Sequence, residues 1–243
     1  LNNNLLILLA SMFLTGTALV SILLTFLGLL GQLKQIPIIL VLIPGIIGVG
    51  LNIKSVFKLK KLFFNNINLL LKMPLWLIII CSFTILLAIG TGLGALILPP
   101  KGDAAAFYMV YPKIIATTGL LEPMQGPFYF FSSIGLPVEL HYTALMVLGD
   151  GQAAKFLIFS IALSAGVMLS GIVRECGGKN IAVIITWSML LSSVTFHHYI
   201  YDGKVDLAAA AYGLTAVYWT LKSFGKNNSL MPFVLSGWFV GLA

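Results

Sequence analysis

The sequence predicts an all-α fold, a polytopic bundle of transmembrane helices, on three observations. The 243 residues are 59% hydrophobic and 9% charged, against roughly 25% charged in an ordinary soluble domain. Mean hydropathy is +1.04. The apolar residues also come in long unbroken runs near the length that a span of about 20 residues requires. A membrane barrel would instead alternate polar and apolar positions. Inside a bilayer the backbone must satisfy its own polar groups, which leaves helices.

The runs fall at about 5–31, 36–53, 74–98, 153–173, 180–197, 205–221 and 230–243, so seven spans are expected. Residues 1–53 read as two N-terminal transmembrane helices, with Pro44-Gly45 placed to kink the second. The third run carries Gly90 and Gly94 at a GxxxG spacing, which suits close helix packing. The chain opens on Leu1 and closes at Ala243 inside an apolar run, and reads as a fragment of a longer protein. Its first run has no basic segment before it, so it does not read as a cleaved signal peptide. Cys81 in a span and Cys176 in a loop give no metal spacing and are not expected to pair.

Charge orients the chain. Residues 54–72 place Lys54, Lys58, Lys60, Lys61 and Lys72 among Phe and Leu, as in a helix lying on an anionic cytoplasmic surface. With that segment inside, Arg174, Lys179, Lys222 and Lys226 also fall inside, and only Lys34, Lys101, Lys113, Lys155 and Lys204 fall outside. The acids divide the other way. Asp103, Glu122, Glu139, Asp150, Asp202 and Asp206 lie at or beyond the outer surface, with His141, His197 and His198; only Glu175 is inside. No span core holds an ionisable residue, which argues against an ion-coupled pump or carrier. The basic segment is flanked by spans and is not a nucleic-acid surface.

Residues 73–243 then form a membrane core with a large outer loop at 99–152, long enough to need structure of its own. Asp103 to Tyr111 can make a short helix ended or kinked by Pro112, with Tyr108 and Tyr111 on one face. A second helix is expected at about 137–148, opened by Pro137 and Glu139. Between them Phe128, Tyr129, Phe130 and Phe131 suit a membrane interface. The last polar cluster is His197 to Asp206, in which Asp202, Gly203 and Lys204 form a turn.

Each charged residue here has a plain and a chemical reading. Asp103 is either a helix N-cap or a general base. Lys113 either snorkels to water or meets a phosphate as a point charge. Tyr108 and Tyr111 are interfacial anchors or line a substrate site. Glu139 is a favourable charge at a helix N-terminus or a ligand contact. His141 reads as a hydrogen-bonded surface residue. Asp206 is a cap or, with His198, Asp202 and Lys204, part of a phosphate- or sugar-binding turn. A divalent metal would draw on His198, Asp202 and Asp206. Neighbouring histidines on a helix point about 100° apart, though, and no zinc spacing exists.

The order of motifs carries a resemblance. A span ends in Leu98-Pro99-Pro100, then comes D-x4-Y-x2-YPK from Asp103 to Lys113, then GLPVE at 135–139, and later VDLAAAAYGLTAVYW at 205–219. Over roughly 95–221 this resembles the GT-C superfamily of integral membrane glycosyltransferases. It is most like the group of protein mannosyltransferases and lipid A aminoarabinose transferases. The resemblance implies transfer of a hexose or pentose from a polyprenyl-phosphate carrier to an acceptor on the non-cytoplasmic side of a plasma (inner) membrane, in the cell envelope. It implies Asp103 as base, with Lys113, Tyr108, Tyr111, Glu139, His198, Asp202, Lys204 and Asp206 binding substrate. Many relatives carry an acidic pair where this sequence has a single Asp103 between Gly102 and Ala104, so the resemblance firmly implies no cofactor and leaves use of a divalent metal open. Two other classes compete: a transporter or flippase, which needs polar groups deep in the spans, and a structural membrane protein, in which the outer carboxylates would not converge.

Overall fold

The computed structural model describes residues 3–51, 74–133, 136–224 and 230–243. The basic segment at 54–72, the end of the second run and Lys226 lie outside the described residues. In chain order the helices are α1 (Asn3–Leu29), α2 (Gln35–Leu51), α3 (Leu75–Ile97), a wide π-turn (Ala104–Tyr108), α4 (Val110–Thr118), a 3-10 segment (Gly126–Ser133), α5 (Leu136–Leu148), α6 (Gly151–Glu175), α7 (Asn180–Ser192), α8 (Val194–Asp202), α9 (Asp206–Ser223) and α10 (Met231–Val240). No strand occurs among the described residues.

Three helices are long and apolar enough to cross a membrane: Leu5–Leu29 of α1, Leu75–Ile97 of α3 and Gly151–Glu175 of α6. A fourth span exists if α7 and α8 are counted together; they are bent by 61°. The chain is thus a membrane-embedded helical protein, and the described residues support three or four spans rather than seven. The reason is local. The run at 180–197 is broken at Ser193, whose hydroxyl accepts from the Phe196 amide and starts α8 in a new direction. His197 fastens the bend: Nδ1 lies 2.7 Å from Thr91 Oγ1 on α3, and Nε2 donates to the Leu191 carbonyl. Among the described residues neither α2 nor α10 reaches 18 (they have 17 and 10), while α9 reaches 18 with polar residues interspersed.

The central element is α6, which packs against α1, α3, α5, α7, α8 and α9. Its small residues make this possible. Gly166 receives the ring of Trp187, and an added Cβ at Gly171 would lie 2.9 Å from the Tyr218 ring. Facing it, Ala208, Ala211 and Ala216 of α9 are buried, so the alanine-rich run lets two backbones approach. The expected GxxxG contact is shifted. Gly90 meets open space, whereas Gly92 receives Phe159 and Gly94 receives Tyr201. Apolar side chains on α3 such as Trp76, Phe83, Leu86 and Ile89 point outward, as lipid contact demands.

A second, smaller apolar core lies under the outer loop, where Leu24, Leu33, Ile38, Tyr111, Ile115 and Leu140 meet. It docks α4 and α5 on the ends of α1 and α2. Two backbone hydrogen bonds lock that junction: the Leu33 amide donates to Gly119 O at 3.0 Å, and the Leu121 amide to Gly28 O at 2.9 Å.

Candidate functional site

The loop after α3 folds as expected in outline and differently in detail. Pro112 does not end the helix that starts near Asp103. It sits in the first turn of α4, where its missing N–H leaves no bond unmade. The irregularity falls earlier, in the π-turn at 104–108, with Met109 joining the two pieces. Asp103 itself has helical backbone angles (φ −61, ψ −33) and makes no capping bond. The N-cap reading of Asp103 is therefore set aside. Its Oδ2 instead accepts from Lys204 Nζ at 2.9 Å, across 101 residues of sequence.

This ion pair ties the loop after α3 to the α8–α9 turn. Gly102, at φ +52, is the companion contact: a Cβ there would lie 3.7 Å from Asp202 Oδ2. Asp202 is buried at 2% exposure, and His198 Nε2 stands 3.2 Å from the same oxygen, one helical turn back. Lys204 also lies 5.0 Å from the centre of the Tyr199 ring. The hydrogen bond to Asp103 holds the Lys204 ammonium above the usual lysine range. Asp206 is the first residue of α9 and exposed; Val205 occupies the cap position, so Asp206 is no cap, although its charge still favours the helix N-terminus.

Behind the ion pair lies a buried polar wall. Glu139 opens α5 as expected, but it is 0% exposed rather than solvated, and neither carboxylate oxygen has a hydrogen-bond partner. Burial pushes its carboxyl up to about 9. Glu139 is then a neutral acid near pH 7, able to donate. Its charge is felt by three tyrosines. Burial, then the Glu139 charge, raises the Tyr111 phenol to about 12, and the Tyr111 hydroxyl donates to Glu122 O at 3.0 Å. Burial first, then Asp206, Asp103 and Glu139, raises Tyr108. Tyr142 is held well above the usual range by burial, with Glu139 and Tyr108 adding to it.

Tyr142 anchors the site. Its hydroxyl donates to Gly203 O at 2.6 Å, fixing the turn that carries Lys204. Tyr142→Phe leaves that buried carbonyl unpaired, and we expect a loss of about 1–3 kcal/mol. Chemical unfolding in mixed detergent, compared with the parent chain, checks it. Glu139 gives a second prediction. Its folded pKa of about 9 is above the ordinary 4.5. Between these values the folded chain holds a proton that the unfolded chain has lost. Stability therefore falls as pH rises through this window, by about 1.4 kcal/mol per unit at most. Glu139→Gln should remove that slope in unfolding titrations.

Two residues escaped the sequence reading. Lys155, in the first turns of α6, is 0% exposed with no hydrogen-bond partner for Nζ, and its stem lies against Gly203. The only sequence signal was a lone cation one turn inside an apolar run. Tyr142 carried no signal at all. Conversely, Lys113 and His141 leave the cluster. Lys113 faces a separate cavity with Lys34. His141 is hydrogen-bonded as expected but buried, not at the surface. Its Nε2 donates to Thr17 O at 2.8 Å and lies 2.9 Å from Ser21 Oγ, and burial lowers its pKa. Tyr129 and Phe130 are exposed, as an interfacial pair would be. Among the described residues no three His, Cys, Asp or Glu side chains gather as a metal site needs; His198 reaches Asp202 alone.

Compared with known proteins, the chain matches no family model, no curated protein and no solved structure.

Proposed function

We propose that the chain is a membrane glycosyltransferase, moving a sugar from a polyprenyl-phosphate carrier to an acceptor on the non-cytoplasmic side. The observation that carries the reading is convergence. Lys204 of the α8–α9 turn pairs with Asp103 of the loop after α3 at 2.9 Å, and the buried Asp202, 3.2 Å from His198, lies against Gly102 beside them at one end of the bundle. That end is where α3 stops and α6 starts, so a lipid carrier can reach it from the bilayer. One span, α3, separates it from the basic segment at 54–72. With that segment cytoplasmic, the cluster opens on the opposite face of a plasma membrane.

The chemistry follows from the charges. The acceptor hydroxyl attacks the anomeric carbon, and the bond from that carbon to the phosphate oxygen breaks. The electron pair leaves with the lipid phosphate, and the acceptor proton passes to Asp103. Lys204 meets the charge that develops on the phosphate. Glu139 and Tyr108 form the hydrogen-bonding wall against the sugar. His198 and Asp202 hold the turn. Tyr111 is spent on Glu122 O and supports the wall from behind.

A transporter reading would need polar groups deep in the spans. The buried Lys155 lies in the first turns of α6, at the cluster and not at midplane depth, which favours the transferase. Lys204→Gln should slow release of polyprenyl phosphate from a polyprenyl-phosphate sugar by about 100-fold, and Lys204→Arg should keep part of the rate. An unchanged rate in Lys204→Gln would remove the assignment.

A further inference from the structure

The cavity that takes Lys113 away from the cluster has its own chemistry. It measures about 900 Å³ and is lined from three directions: Lys34 from the α1–α2 turn, Lys113 and Thr117 from α4, and Asp150 with Gln152 from the start of α6. Lys34 and Lys113 are exposed, and neither meets a carboxylate among the described residues. The one acid in the lining, Asp150, offsets one of the two positive charges and is turned toward the helix start. Asp150 Oδ1 accepts from the Gln152 and Ala153 amides at 2.9 and 3.1 Å and caps α6. The Thr117 hydroxyl donates to Ile114 O, so it has no proton left to offer. The side-chain donors facing the space are therefore two ammonium groups and the Gln35 and Gln152 amides. Gln152 adds an orphan: its buried Oε1 has no partner.

The fold holds the stem of Lys34 in place. Gly119, at φ +76, lies against the Lys34 stem, with Cγ and Cε 3.6 and 3.7 Å from an ideal Cβ position. The two backbone bonds between 28–33 and 119–121 fix the α1–α2 turn against the end of α4. Lys34 and Lys113, far apart in sequence, thus face one space with positive charge in excess. A compact anion satisfies two point-charge donors best.

We propose that this cavity is a second ligand site, separate from the Asp103–Lys204 cluster, and that it binds a phosphate-bearing group. Met109 is the partition: it lines the cavity on one side, and its Cε approaches Gly203 on the other. The site does not depend on the transferase reading, because it rests on the cavity and its cations alone.

The test uses the chain purified in neutral detergent, titrated calorimetrically with dodecyl phosphate, inorganic phosphate and dodecanol. Dodecyl phosphate should bind and dodecanol should not. Lys34→Gln and Lys113→Gln should each weaken binding by about 10-fold or more, and Lys→Arg at either position should restore most of it. Lys101→Gln, a nearby exposed cation outside the lining, should leave binding unchanged, and Lys204→Gln should leave in place the binding that depends on Lys34 and Lys113. Equal binding of inorganic phosphate supports the site with a soluble phosphate as its ligand. Binding of the amphiphile alone supports it with a lipid headgroup. If Lys204→Gln abolishes binding and the Lys34 and Lys113 variants do not, the proposal is overturned. It is equally overturned if Lys101→Gln weakens binding as much as they do, or if no phosphate binds.

Discussion

Asp103→Asn in the intact protein is expected to lower sugar transfer from a polyprenyl-phosphate donor by about 10²–10⁴-fold. The substitution keeps the size and shape of the side chain. It also keeps an oxygen that can accept from Lys204 at the present 2.9 Å. What it removes is the capacity to take the acceptor proton. The helix does not depend on Asp103 as a cap, since it makes no capping bond. Stability in detergent should therefore change little, and the carrier should still bind. A variant that loses rate while keeping its unfolding midpoint separates a base from a structural residue. Transfer at the parent rate would remove Asp103 from the chemistry.

The second large effect is expected at Gly203. Its φ of +71 is a left-handed conformation that a β-branched residue adopts only under strain. The space is closed as well. A Cβ there would meet Met109 Cε at 2.9 Å and Lys155 Cγ at 3.1 Å. Met109 can turn its flexible end aside, but the Lys155 stem is fully buried and has nowhere to go. Gly203→Val should cost about 2–5 kcal/mol from strain and overpacking together. It should also move Lys204 off Asp103, so transfer falls with stability. Gly203→Ala should show a smaller loss of the same kind. An unfolding midpoint unchanged in Gly203→Val would mean that the turn is not held as described.

The same residues show how far the sequence alone could lead. The helix at 136–148 was legible because Pro137 and Glu139 mark a start and the residues after them are apolar. Asp103 and Lys204 both stood out as charges at span ends. Their pairing did not, because it depends on the α8–α9 turn docking across more than a hundred residues. The cap readings of Asp103 and Asp206 failed for a related reason. Residue type permits a cap, but geometry decides it: Asp103 has helical angles and makes no capping bond, and Asp206 is already the first residue of α9. Span counting failed where hydropathy cannot see direction: the run at 180–197 is apolar on average, yet it bends at Ser193. Lys155 was read as one more outer cation. Its burial under Gly203 is a tertiary fact with no local trace. Lys113 was grouped with Asp103 because only ten residues separate them. Helix α4 carries it to the other side of Met109, toward Lys34.

The central claim is that the outer cluster breaks the bond between a sugar and a lipid phosphate. The most direct measurement is release of polyprenyl phosphate in proteoliposomes supplied with polyprenyl-phosphate hexoses and pentoses, comparing the parent chain with Asp103→Asn. The account predicts release of free polyprenyl phosphate by the parent, with sugar transferred to a hydroxyl acceptor, and loss of both in the variant. Passage of the intact carrier across the bilayer with the anomeric bond unbroken would contradict it and assign the chain to lipid transport.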